Sequence, residues 1–215
     1  MPDRLVLSKE FHELKEQHSG LYLLDNGEGS WIIRGNIHFC AEHDGLEDEY
    51  IAEILIPNKY PQAVPQAKEV GGRINNNFHI YSDKRLCLGA PVAVKRKFAQ
   101  NPTLIGFTNN CLVPFLYMHS YLKHHGKLPS GELAHGPDGL IQFYKEEFQT
   151  EDTEVVLGLL RILTYWGIPG NMLCPCKSGK RLWKCHADKI AEFKKYQPPK
   201  DFLLEIKYIK NSLSS

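Results

Sequence analysis

Toward its C-terminal end the sequence reads Cys174-Pro-Cys176-Lys-Ser-Gly-Lys-Arg-Leu-Trp-Lys-Cys185-His186. Three thiolates and one imidazole this close in sequence can close a tetrahedral metal site, and zinc takes such a donor set. The Cys-x-Cys pair makes a tight turn with both sulfurs on one side of the ion. Ser178-Gly179 lets the chain reverse, and a helix starting near Leu182 presents the second pair. Lys177, Lys180, Arg181 and Lys184 offset the charge of the three thiolates. Four protein ligands leave no open coordination position, so the site is structural and not catalytic. One Zn2+ on Cys174, Cys176, Cys185 and His186 is the expectation.

The other three cysteines stand alone. Cys40 lies on an apolar strand and Cys111 on an apolar helix face, and both are expected to be buried as small hydrophobes. Cys87 differs. It sits in Leu86-Cys87-Leu88-Gly89, just after a polar, irregular stretch that carries His79 and Asp83. A polar approach is what a reacting thiolate needs, so Cys87 is expected to be the most accessible thiol outside the metal motif. His119, His124 and His125 invite a second metal reading. Adjacent residues point to different faces of a helix, however, and a solvated histidine cluster at a helix end accounts for them. No GxxxxGK[ST] phosphate loop occurs.

These residues need elements to position them. Lys9–His18 has a helical pattern. Leu21–Leu24, Trp31–Phe39 and Tyr50–Ile56 read as strands, with a Gly-containing turn at residues 25–30 and a polar one at 42–49. Short loops between sequential strands predict an antiparallel meander, four strands in all. The prolines of Ile56-Pro-Asn-Lys-Tyr-Pro-Gln-Ala-Val-Pro65 exclude a regular element there. Residues 101–165 read as helical: Leu112, Phe115, Leu116, His119 and Leu122 keep the i, i+3, i+4 spacing, and Leu140–Phe148 and Glu154–Trp166 follow. These helices are expected to pack beside the sheet. A helix at Asp188–Tyr196 and an amphipathic segment at Phe202–Leu213 come after the metal motif. The expected division is 1–168 for an α+β domain and 169–215 for a metal-bound tail.

Composition narrows the function classes. With 42% hydrophobic and 24% charged residues over 215 positions, the chain has the material for a core and is neither disordered nor coiled coil throughout. Lys plus Arg number 26 against 25 Asp plus Glu, which gives no global pull toward nucleic acid or an anionic membrane. The N-terminal stretch shows no apolar signal-peptide core, and no apolar run approaches a spanning helix. A cytoplasmic protein with no membrane and no specific nucleic-acid partner is expected. A local basic patch stays compatible with the balanced total.

Two family resemblances rest on these residues. The metal motif resembles the SEC-C motif, a zinc module at the C-terminus of a bacterial secretion ATPase and appended to many bacterial proteins. Its pattern, Cys-Pro-Cys-x-Ser-Gly followed by five residues and Cys-(Cys or His), is complete here. Such modules generally dock proteins, so the resemblance implies binding.

The order of helix, meander, proline loop, irregular His-containing stretch and Leu-Cys-Leu is similar to the ubiquitin-conjugating enzyme (UBC) family over about residues 5–165. Trp31-Ile-Ile-Arg-Gly35 falls at that family's second strand. Ile54-Leu-Ile-Pro57-Asn-Lys-Tyr60-Pro61-Gln-Ala-Val-Pro65 resembles its proline loop, and Arg73-Ile74 precedes the stretch as in the family. Cys87 takes the place of the thioester-forming cysteine. The family's His-Pro-Asn is altered: His79 is present, but Ile80-Tyr81 replace Pro-Asn, and Asn75, Asn76 and Asn77 are unaligned. Gly131-Glu-Leu-Ala-His135-Gly136-Pro-Asp-Gly139-Leu before Phe143-Tyr144 looks like a divergent bacterial branch encoded beside anti-phage genes, including cyclic-oligonucleotide signalling (CBASS) systems.

The resemblance implies a UBC-like fold and a transferase that carries a protein C-terminus as a thioester on Cys87 and passes it to an amine in antiviral defence. His79 and His135 would be polar partners of the sulfur, His135 serving equally well as a capping residue, and Asp83 would orient or deprotonate the amine. The implied partners are an activating-enzyme-like protein, a modifier or target, and among candidate targets a cyclic-nucleotide synthase. The alternative is a non-catalytic protein-binding module of the same fold with a zinc docking tail.

Overall fold

The computed structural model describes residues 2–27, 30–75, 78–128 and 136–213. The chain forms two compact units, Met1–Glu132 and Leu133–Ser215.

In the first unit, α1 (Arg4–Gln17) starts at Asp3, whose carboxylate accepts from the backbone N–H of Leu5 and Val6. This satisfies donors that the first helical turn leaves open. Leu7, Phe11 and Leu14 form its buried stripe. The strands β1 (Tyr22–Asp25), β2 (Trp31–Cys40), β3 (Glu47–Ile56) and β4 (Gln66–Glu69) make one antiparallel sheet in chain order, as expected from the short turns. β2 and β3 pair along their full length, from Trp31 opposite Ile56 to Cys40 opposite Glu47. Their alternation puts Ile33, Gly35, Ile37 and Phe39 on the core side, with Tyr50, Ala52, Ile54 and Ile56. Gly35 has φ +144°, and a Cβ there would lie 2.3 Å from the Gly20 carbonyl oxygen. Only glycine lets the chain entering β1 cross β2 that closely.

The proline segment is irregular, with a cis Tyr60-Pro61 bond. The buried Tyr60 donates its hydroxyl proton to Glu10 of α1, and the same carboxylate accepts from the Leu104 N–H at 2.9 Å. β4 begins directly after the last proline of this segment. Its four residues carry too little alternation for the sequence alone to mark its ends.

A helix that reading missed, α2 (Pro91–Gln100), opens with Pro91 in its first turn, where the missing N–H costs nothing. Its charged Lys95-Arg96-Lys97 run leaves few apolar positions to count. Then come α3 (Leu104–Phe107), a π-helical turn at Thr108–Leu112, and α4 (Val113–His125), ended by Gly126 in the left-handed region. Leu104, Phe107, Leu112 and Leu116 share one core with the sheet and α1.

A polar knot pins α4 to β3. Asp48 receives two bonds from Arg73, at 2.6 and 2.9 Å, and one from the Ser120 hydroxyl at 2.6 Å. Arg73 lies 4.2 Å over the Tyr50 ring. Burial opposes ionisation of Asp48, but the Arg73 and Ser120 bonds outweigh it and hold the carboxyl well below the ordinary carboxylate range.

In the second unit, α5 (Gly136–Phe148) and α6 (Thr153–Leu163) pack with α7 (Ala187–Tyr196) and α8 (Pro199–Leu213). The expected boundary at residue 168 therefore falls inside a compact unit. The reason lies in α6, where seven of eleven residues are buried: Val155, Val156, Leu157, Leu159, Leu160, Ile162 and Leu163. A helix apolar on nearly all sides needs cover on all sides, and its neighbours supply it. Glu205 is buried with them, accepting from Tyr144 Oη at 2.5 Å and Gln197 Nε2 at 2.7 Å.

Because the Asp48 carboxyl is held low in the folded chain, its stabilisation is present above the unfolded carboxylate pKa and lost as pH falls. Asp48→Asn is expected to cost about 2 kcal/mol at neutral pH. In urea unfolding the gap to the parent should close as pH drops below about 4. A gap independent of pH would contradict this role.

Candidate metal centre and the Cys87 hairpin

The metal motif folds as a short hairpin followed by a helical entrance. Leu173 and Arg181 form an antiparallel bridge, and the Cys174 N–H donates to the Lys180 carbonyl at 2.8 Å. Between them the chain reverses through Lys177 and Gly179, both left-handed at φ 62° and 73°. Leu182–Lys184 make one 3-10 turn, and His186 directly precedes α7, where its carbonyl accepts from Ile190 at 3.0 Å. Two ligands thus come from the turn and two from the helix entrance, as the sequence spacing predicts.

The ligand atoms of Cys174, Cys176, Cys185 and His186 all lie within 4.8 Å of one another. His186 Nδ1 is 3.2 Å from both the Cys174 and Cys185 sulfurs, and the Cys176 and Cys185 sulfurs are 3.4 Å apart. The edge of a tetrahedron with a metal–sulfur bond of about 2.3 Å is roughly 3.8 Å, so the cluster has the size one ion requires. The imidazole is oriented for it. His186 Nε2 lies 3.1 Å from the Phe148 carbonyl oxygen, which can only accept. The ring proton therefore sits on Nε2, and the Nδ1 lone pair faces the sulfurs. Burial pushes the Cys174 thiol up. Burial also opposes ionisation of Cys176, but the Ser178 hydroxyl and N–H and the neighbouring thiols bring it down to about 6. A bound cation would hold all three as thiolates.

The hairpin is seated on α5 and α6. Lys177 pairs at 2.6 Å with Asp152, the residue that caps the N-terminus of α6. A Cβ added at Gly158 of α6 would lie 2.8 Å from Pro175 Cβ, so that glycine clears room for the Cys-Pro-Cys turn. Sequence reading missed Phe148, Asp152 and Gly158. A backbone acceptor, a lone cap and a helical glycine carry no motif. The cations also have other work than offsetting thiolates: Lys177 holds Asp152, Arg181 donates to the Asn171 carbonyl, and Lys184 lies 4.6 Å over the Trp183 ring.

Cys87 closes a different hairpin. Ile80 and Leu86 form a bridge, the Tyr81 N–H donates to Arg85, and the Cys87 N–H donates to the His79 carbonyl at 2.7 Å. Leu86 in turn donates to Ala67 of β4 at 2.8 Å, which ties the hairpin to the sheet. His79, in the left-handed region at φ 43°, is therefore the residue across the strand from Cys87. Asp83 is at the tip, where its carboxylate accepts from Arg85 Nε at 2.5 Å. Its desolvation is outweighed by the Arg85 bonds, which lower its pKa. His135 lies outside the described residues.

The thiol ranking departs from expectation. Cys111 is buried, and burial raises its thiol. Cys40 is exposed and Cys87 only half-buried. The inward set on β2 ends with Phe39, so the next residue points outward. His119 is not a solvated residue either: it is buried, with Nδ1 2.8 Å from the Tyr50 hydroxyl. His124 bonds the Ser120 carbonyl at 2.8 Å, and the His125 ring packs at a tilt against Tyr121. Among the described residues, no further metal-ligand group forms.

No protein-family model matches the chain, and no characterised protein does. No helix among the described residues is long and apolar enough to cross a membrane.

Because His186 and Lys177 link the candidate ligand cluster to α5 and α6, loss of an ion bound there should be felt outside the motif. With a strong chelator, or in Cys185→Ser, amide exchange is expected to rise in residues 172–190 and around Phe148–Asp152, while β2 and β3 keep their protection. Unchanged exchange across both segments after metal loss would contradict the linkage.

Proposed function

We propose that the chain is a ubiquitin-conjugating-like acyl carrier whose second unit is organised by one structural zinc ion. The observation that supports the carrier reading most is the Cys87 hairpin. A four-stranded meander leads into a β-bridged turn, itself bonded to β4, that places half-buried Cys87 across the strand from His79, shortly before α2. Zinc is the ion favoured by three sulfurs and one imidazole nitrogen with no oxygen donor in the cluster. Bound there it crosslinks the fold and does no chemistry. The four ligands occupy its coordination sphere.

At Cys87 the reaction is acyl exchange. The thiolate attacks the thioester carbonyl that links a protein C-terminus to an activating enzyme. A new carbon–sulfur bond forms, the old one breaks, and the activating enzyme leaves as a thiolate. A target amine then attacks the Cys87 thioester, an amide forms, the Cys87 thiolate leaves, and the amine proton passes to a base or to water. One thioester replaces another at little free-energy cost, so positioning counts more than strong acid–base power. The sheet-anchored backbone of the hairpin would supply that positioning. His79 is the candidate polar partner on this chain. Asp83, engaged by Arg85 at the hairpin tip, would act on an incoming amine only after exchanging that partner.

The test uses extract of the native cell with ATP. Wild-type protein is expected to form an adduct that thiol reductant cleaves. Cys87→Ala should abolish it, Cys87→Ser should leave a reductant-resistant oxyester, and Cys40→Ala should not alter it. An adduct that survives in Cys87→Ala, or none in any condition, overturns the carrier reading in favour of a binding module.

A further inference from the structure

The loop beside the metal turn concentrates large apolar side chains in solvent. Tyr165, Trp166, Ile168, Met172, Leu173 and Trp183 are all exposed, with Trp166 at 94%, Leu173 at 64% and Trp183 at 56%. They come from two loop tips held together. Trp183 donates its N–H to Gly170 at 3.2 Å, Leu182 donates to Met172 at 2.9 Å, and Arg181 holds the Asn171 carbonyl. Lys194 of α7 donates to the carbonyls of Tyr165 and Gly167 and fixes the other end of the loop. Exposing this much large apolar surface in one place is costly unless something covers it.

Charge indicates what does. From Thr164 to His186 the chain carries Lys177, Lys180, Arg181 and Lys184 and not one Asp or Glu. Lys177 is spent on Asp152, but Lys180, Arg181 and Lys184 are exposed at the rim. The balanced total charge hides this segregation. We propose that this surface docks on an anionic lipid bilayer, as a peripheral contact with no spanning segment.

Three features favour lipid over other anionic partners. The aromatics are Tyr and Trp, whose rings suit the headgroup boundary, where each keeps a polar end in water. Ile168, Met172 and Leu173 are aliphatic and have no stacking face to offer a nucleobase, so a single-stranded nucleic acid would leave half the patch unused. The exposed cations of the segment, Lys180, Arg181 and Lys184, carry the sign that an anionic leaflet attracts. Apolar insertion and headgroup attraction add in such binding. The inference does not depend on the role of Cys87.

The test is sedimentation of the full metal-loaded chain with vesicles of phosphatidylcholine containing about one-third phosphatidylglycerol, in about 0.15 M salt. Wild type should pellet with these vesicles and stay in solution with pure phosphatidylcholine. Its tryptophan emission should shift to the blue on binding. Trp166→Ala and Trp183→Ala should each weaken the partition by about tenfold, and a Lys180→Glu/Lys184→Glu double variant should lose the preference for anionic vesicles. All four side chains are exposed, and metal content with circular dichroism verifies that each variant is folded. Failure of folded, metal-loaded wild type to pellet overturns the proposal, whether the surface then retains an oligothymidine or an acidic protein. So does binding that Trp166→Ala and Trp183→Ala leave unchanged.

Discussion

A single imidazole ties the second unit together. His186 faces the Cys174 and Cys185 sulfurs through Nδ1 and the end of α5 through Nε2, and neither bond is available to a ring turned the other way. The ring also packs at right angles to Phe148, whose side chain stacks on Tyr144 and touches Phe193. The ligand cluster and the aromatic core are thus neighbours through one residue. An ion bound there would constrain the hairpin, the entrance to α7 and the turn between α5 and α6 at once. Lys177 on Asp152 and Pro175 against Gly158 make the same seat from the other side. This is why a motif of a dozen or so residues behaves as a corner of a helical unit and not as an appendage. The same rigidity fixes the loop that carries Trp166.

The first unit is held by a different set of contacts, which reach Cys87 at the edge of the sheet. Its sheet is fixed by the full-length pairing of β2 with β3 and by the close crossing at Gly35. Its helices are fixed by the Asp48–Arg73–Ser120 knot and by Glu10, which bonds Tyr60 and Leu104 together. The Leu86–Ala67 and Cys87–His79 backbone bonds pass that rigidity on to Cys87. Positioning is the main demand of acyl exchange between thiols, so the arrangement suits the proposed carrier role.

What was legible in the sequence followed from short-range rules. The meander was readable because β2 and β3 alternate cleanly between short polar turns. The clustering of the four candidate ligands was readable because a Cys-x-Cys and a Cys-His pair flank a Ser-Gly reversal. What was not legible depended on partners distant in the chain. The helices α5 and α6 looked like companions of the sheet, and nothing local reveals that α6 needs cover on every face from elements beyond the motif. Cys40 was misjudged because its strand is apolar as a whole, while the period of two decides which side a given residue takes. His119 looked solvated among its histidine neighbours until Tyr50, from β3, was found bonded to it.

The central proposal is that Cys174, Cys176, Cys185 and His186 enclose one zinc ion with no open position. X-ray absorption at the zinc edge of purified protein measures this most directly. The account predicts a first shell of three sulfurs at about 2.3 Å and one nitrogen at about 2.0 Å, with no further light atom. A shell containing a water or carboxylate oxygen, fewer than three sulfurs, or no bound zinc at all would contradict it.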